Sequence, residues 1–234
     1  MKSLLGQIET VARAGTSLQA AAQACAQELY DTYRDSLVLC RIYATVDLAD
    51  VPPVVEGFVR GITDANGLTS KLQSSSIILN LLGTAGLRPE WNDRLKSQGH
   101  LGIPLLNANF VGNLPMVAAL MKDMGIGLDW LDRQDTSIVI KEVGRIARVF
   151  FVADARTTVD EKGRNVVPAT DFVEANGVRT VFGLGGAYVD GTFLAIIFFT
   201  REELEKKQAE AFQPVLNLFK LGTMGAVMEH KIFA

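Results

Sequence analysis

The chain runs to 234 residues, enough for one large domain or a domain with helical extensions. Hydrophobic residues make up 48% and charged residues 21%, which supplies a buried core and excludes a disordered chain. A formal net charge of −3, with acids and bases interspersed, excludes a general nucleic-acid binder, which needs a basic face to neutralise phosphates.

Residues 3–14 read as one helix, set off by Gly15 and Thr16 from a second that Ser17 caps. In the second, Leu18, Ala21, Ala22, Cys25, Ala26, Leu29 and Tyr33 recur at helical spacing. Residues 36–44 carry Leu37, Val38, Leu39, Cys40, Ile42 and Tyr43, the chemistry of a strand. Pro52 and Pro53 open a helix with an apolar stripe of Val54, Val55, Phe58, Val59 and Ile62, ended by Asn66 and Gly67. Residues 76–82 are a second strand, closed by Gly83 and Gly86. A short helical turn at 89–96 precedes a third strand at 99–106. A helix over 114–124 follows, with Pro115 near its start and Gly125 near its end.

The C-terminal half carries the clearest strand signals. Residues 148–153 form one, and 178–184 and 192–200 form two more around Asp190 and Gly191, a hairpin signal because glycine supplies positive φ at little cost. The four residues Gly183, Leu184, Gly185 and Gly186 lack phosphate-loop spacing and read as a β-turn. Thr200 and Glu203 have the spacing of a capping box that would open a closing helix. Leu204, Ala211, Val215, Leu218 and Phe219 line its face, and Pro214 should kink or interrupt it. This order lacks the strict alternation of a doubly wound sheet. It predicts an α+β fold: a central antiparallel sheet of five or six strands, with helices from both ends packed on one face.

The run from Gly177 to Gly185, then Asp190 to Thr200, then Arg201, Glu202, Glu203 and Leu204, resembles the end of a GAF domain. The alanine-rich helix feeding directly into the strand at 37–43 is similar to that family's start. Residues 97–105, which include His100, look like the central strand that edges its ligand pocket. The resemblance covers residues 17–222 and divides the chain into an N-terminal helical extension (1–16), a GAF-like sensor domain (17–222) and a C-terminal tail (223–234). Glycines at 185 and 186 stand where the family usually has a proline, and the insertion between Leu106 and Arg148 is long. The resemblance implies a sensory domain that reversibly binds a small ligand and signals through its terminal helices. It also implies a homodimer formed through those helices, and a downstream signalling protein as a further partner.

The densest polar and aromatic cluster is Trp91, Asn92, Arg94, Ser97 and His100, placed where a GAF-like domain puts a pocket wall. Arg94 could clamp an anion bidentately, Asn92 and Ser97 orient it, and Trp91 stack on it. Trp130 is a further candidate lining residue. The bland reading of the cluster is a capped surface turn with His100 hydrogen-bonded at a strand start. His100 could alternatively ligate haem, although a lone histidine more often has a structural or polar role. The identity of the ligand and of any cofactor stays unknown from sequence. No metal-binding spacing is present.

Catalysis finds no motif: no serine sits in GxSxG, and no histidine adjoins Cys25 or Cys40 to activate it. The two cysteines fit buried thiols in a reducing compartment. No stretch reaches the ~18 consecutive apolar residues of a membrane span, and no secretory leader pattern opens the chain, so a cytoplasmic location is expected. The rival to a sensor is a non-catalytic dimerisation or interaction module with a vestigial pocket.

Overall fold

The computed structural model describes residues 2–97, 99–128, 131–132 and 148–233. Helix α1 (Lys2–Ala14) is followed by α2 (Leu18–Thr32), whose cap is Ser17: the side chain accepts a 3.1 Å bond from the Ala20 amide. The Leu18 and Gln19 amides are satisfied from far along the chain, donating to the carbonyls of Lys231 and Ile232 at 2.8 Å each. A C-terminal segment thereby completes the first turn of α2.

Strand β1 (Leu37–Asp47) leads to α3 (Pro53–Ala65), with Pro53 in its first turn, and then to β2 (Ile77–Gly86). Two 3₁₀ turns, Pro89–Asn92 and Arg94–Lys96, precede β3 (Gly102–Pro104). Helices α4 (Ala108–Gly112) and α5 (Pro115–Asp123) come next, then β4 (Arg148–Val152). Helix α6 (Thr170–Asn176), stopped by Gly177 at φ 64°, precedes β5 (Thr180–Ala187) and β6 (Phe193–Thr200). The last elements are α7 (Lys206–Glu210) and α8 (Gln213–Met228).

Among the described residues the strands form one six-stranded sheet in the order β3-β2-β1-β6-β5-β4, with every pairing antiparallel. The expected hairpin of β5 and β6 is present, with Gly191 at φ 94° and β6 lying against β1. The Asp190 carboxylate holds the turn by accepting from both the amide and the hydroxyl of Thr192.

Alternation along the strands separates two apolar layers. On one face Cys40, Ile42, Leu82, Ile196 and Phe198 pack under α1, α2 and α8, against Cys25, Leu29 and Phe219. Each such fully buried large side chain contributes about 1.5–3 kcal/mol. Both cysteines are free and buried in this layer, and burial raises their thiol pKa values. On the other face Leu39, Tyr43, Ile197 and Phe199 pack beneath α5, α6 and the loops around them. The helices from both ends thus share one face of an α+β sandwich, leaving the other for shorter elements. Among the described residues no helix is long and apolar enough to cross a membrane.

Several local expectations are corrected. Strand β2 continues through Gly83 to Gly86 rather than closing at residue 82. The register with β1 shifts beside Ile42 and Tyr43, so that Leu82 and Gly83 both turn toward α2. A Cβ at position 83 would lie 2.3 Å from the Ala22 carbonyl oxygen, so glycine is what lets α2 sit this close. Residues 183–186 are likewise strand rather than turn. A Cβ at Gly183 would strike Ile197 and one at Gly185 would strike Met124.

Thr200 opens no helix. It ends β6, and its hydroxyl donates to the Ser36 carbonyl and accepts from the Glu202 amide. The reciprocal capping box is instead Glu205 with Gln208, at the start of α7. The helical stretch breaks before Pro214, which takes a place in the first turn of α8. The third strand is shorter than the sequence suggests, and α4 and α6 were not foreseen.

Candidate functional site

On the face opposite α2, β1 presents Leu39, Arg41 and Tyr43. Across the ladder, Arg41 is flanked by Thr84 of β2 and Ile197 of β6. These residues floor a cavity of about 530 Å³. Trp91, Phe172 and Phe199 wall it as a chain of edge-on rings, with centroids 5.4 Å and 5.5 Å apart. The start of α5 and residues 167–169 close further sides, and Ser97 and His100 stand at the polar margin.

The segment over the cavity is tied down by specific bonds. The Thr84 hydroxyl donates to the Trp91 carbonyl at 2.8 Å, and the Asn92 carboxamide oxygen accepts from the Gly86 amide at 2.7 Å. Asp93 caps the next turn by accepting from the Leu95 amide. The Arg88 guanidinium lies 5.3 Å from the Trp91 ring centre.

The sequence-predicted site residues therefore divide. Trp91, Ser97 and His100 line the cavity together. Asn92 and Arg94 do not. Asn92 spends its side chain on the Gly86 amide. The buried Arg94 guanidinium donates to the Gln19 carboxamide oxygen at 3.2 Å and lies 5.7 Å from the Phe233 ring centre, away from the cavity. Trp130 lies outside the described residues. Asp132 caps α4 by accepting from the Ala108 amide.

Arg41 was missed, and it is the most unusual group in the cavity. It is half-buried on a central strand; among the described residues its buried Nε has no hydrogen-bond partner, and its Nη1 makes only a long 3.4 Å bond to the Tyr43 hydroxyl. No carboxylate pairs with it among the described residues. The readable signal was one charge in an otherwise apolar strand, between Cys40 and Ile42. Ser97 Oγ is also buried and has no hydrogen-bond partner among the described residues. Loss of hydration beside the cavity, and then the Arg41 cation, push the His100 pKa down to about 4 and favour the neutral ring, although the residue as a whole is exposed. Among the described residues no cluster of three or more histidine, cysteine or acidic side chains could hold a metal.

The arrangement can take an apolar body against the aromatic wall and offer it one cation and several neutral hydrogen-bonding groups.

No family model matches the sequence, and no curated protein matches it. Solved structures are similar over nearly the whole chain. The phycoerythrobilin-bound GAF domain from a cyanobacterial phytochrome is 13% identical with a TM-score of 0.47, covering 98% of this chain and 97% of its own. The phycocyanobilin-bound GAF domain from a cyanobacterial phytochrome is 13% identical with a TM-score of 0.48, covering 98% and 96%. The GAF domain of an Acinetobacter phosphoenolpyruvate-protein phosphotransferase is 12% identical with a TM-score of 0.44, covering 98% and 94%. The chain's own element order and six-stranded antiparallel sheet are those expected of a GAF-like α+β domain.

Proposed function

We propose that the chain is a cytoplasmic sensory module that binds a small ligand reversibly in the cavity over β1 and β6, without transforming it. The observation that supports this reading is the cavity itself. It lies against the central strands, is walled by Trp91, Phe172 and Phe199, and has polar groups at its floor and margin that no described residue satisfies. Buried polar atoms are normally hydrogen-bonded, and two such orphans on lining residues, Arg41 Nε and Ser97 Oγ, suit a place that a ligand completes. Of the sequence-predicted residues, Trp91, Ser97 and His100 line the cavity from the roof segment. Two buried free thiols suit a reducing compartment.

The signal would pass to the terminal helices, α1, α2 and α8. Arg94 joins the roof to Gln19 on α2 and to Phe233, so a shift of the roof is felt at that junction. The chain would act as a homodimer through α8 and hand the signal to a downstream protein. In support, the outward stripe of α8 is uncharged: Asn217, Leu221, Gly225 and Met228 are exposed, and its one charged residue, Lys220, bonds back to the Ala187 carbonyl.

The test is to purify the protein, extract any small molecule by denaturation, and repeat with Ala169→Trp. That exposed position on the cavity wall can carry an indole into the space without disturbing the core. A compound recovered from the wild type and lost from the variant supports the reading, and a Soret absorbance band would name haem. A compound retained equally by both would place binding elsewhere.

A further inference from the structure

We propose that the ligand carries a carboxylate seated on the Arg41 guanidinium, so that the cavity is built for small apolar carboxylic acids. This rests on the ligand-binding reading above and names the chemical class.

Arg41 stands at the middle of β1, flanked by strands on both sides, where a cation is costly to keep without a partner. Its ladder neighbours, Thr84 and Ile197, bring no charge, and the hydroxyl of Thr84 is already donated to the Trp91 carbonyl. The long contact with Tyr43 is the only hydrogen bond of the guanidinium among the described residues, and the enclosed Nε has no partner there. A planar carboxylate fits such a fork with two parallel bonds.

The charge count of the cavity selects a single negative charge. Around its margin the cations Arg88 and Lys96 are matched by the anions Glu90 and Asp93, leaving Arg41 as the unbalanced charge among the described lining residues. His100 is neutral beside it and, with Ser97 and Tyr43, offers uncharged hydrogen-bonding groups. A dianionic phosphate would ask for a second cation on the floor, and no described residue supplies one. The remaining lining, Leu39, Ile197, Phe199, Phe172 and Trp91, is apolar and suits a hydrocarbon body.

The test titrates the whole chain, by calorimetry, with three matched probes: naphthalene-1-acetate, its primary amide, and 1-naphthyl phosphate. The carboxylate should bind at least about tenfold more tightly than the amide. Arg41→Gln should abolish that difference while leaving amide affinity and the melting temperature near wild type, and Arg41→Lys should restore part of it. Equal binding of acid and amide to the wild type would overturn the carboxylate seat while leaving the cavity reading intact. Tighter binding of the phosphate, lost in Arg41→Gln, would overturn the carboxylate class in favour of phosphate esters. Binding of no probe at millimolar concentration, in protein that melts cooperatively, would overturn both readings.

Discussion

The guanidinium of Arg94 lies 5.7 Å from the centre of the Phe233 ring, so the segment that roofs the cavity is clamped to the C-terminal segment rather than to anything inside the cavity. A second hold, from Nη2 to Gln19, ties the same arginine to α2. Arg94→Ala should therefore act on stability. Loss of a partly buried charged hydrogen bond and a cation–π contact amounts to about 1–3 kcal/mol. Urea unfolding should register that loss. Affinity for a cavity ligand should change far less than with Arg41→Gln; an equal or larger loss of affinity would return the anchoring role to Arg94.

Histidine 100 gives the protein a pH dependence with a definite sign. Its folded pKa of about 4 lies below the ~6.5 of a histidine in an unfolded chain. As pH falls, the unfolded chain takes up the proton first, so the stability present above pH ~6.5 is lost progressively toward pH 4. The titratable and charged groups that share the cavity with it are Arg41 and Tyr43 from β1, and Arg88, Glu90, Asp93 and Lys96 from the roof segment. The wall from β6, α5 and α6 adds none. Melting temperature followed from pH 7 to 4 should fall more steeply for wild type than for His100→Gln. Parallel curves would exclude this account.

Two glycines should respond in opposite directions to the same change. At Gly83 an added Cβ meets the backbone of α2, which cannot step aside as a flexible side chain can. Gly83→Ala should cost about 1–3 kcal/mol or more, the range for overpacking a tight core. Gly57 lies exposed within α3 with open space around it, and Gly57→Ala should stabilise by about 0.5–1 kcal/mol. Thermal unfolding of the pair checks both, and a neutral Gly83→Ala would mean that α2 is not held as close as described.

The proposed dimer is testable on the outward stripe of α8. Leu221 and Met228 are more than half exposed there, while Leu4, Ile8 and Ala12 of α1 are already buried within the chain. Light scattering at tens of micromolar protein should give a dimer mass, and Leu221→Glu should reduce it to a monomer with little change in melting temperature. A wild-type monomer at that concentration would remove the assembly from the proposal.

What the sequence made legible was local. Ser17 caps the helix it precedes, and Asp190 and Gly191 close a turn between strands they touch, so short-range chemistry was enough for both. The rest depended on partners distant in the chain. Thr200 had the spacing of a cap, but Ser36 takes its hydroxyl across the sheet. Gly83 read as a strand end because only the approach of Ala22 explains a glycine there. Within the cavity cluster, Trp91 and Arg94 are near neighbours in sequence, yet a 3₁₀ turn sends one inward and the other toward Phe233. Spacing does not encode that direction. Arg41 was visible as a lone charge in an apolar strand, but which face it took followed only from the alternation once both faces were seen to be covered.

The bonds from Leu18 and Gln19 to the carbonyls of Lys231 and Ile232 make those two amides natural reporters for hydrogen exchange. Their protons are released to solvent only when the C-terminal segment lifts, since α2 itself offers them no acceptor. A ligand that steadied the roof would, through Arg94 and Phe233, hold that segment down. Exchange at Leu18 and Gln19 should then slow on the far side of the sheet from the cavity, at amides no ligand could touch.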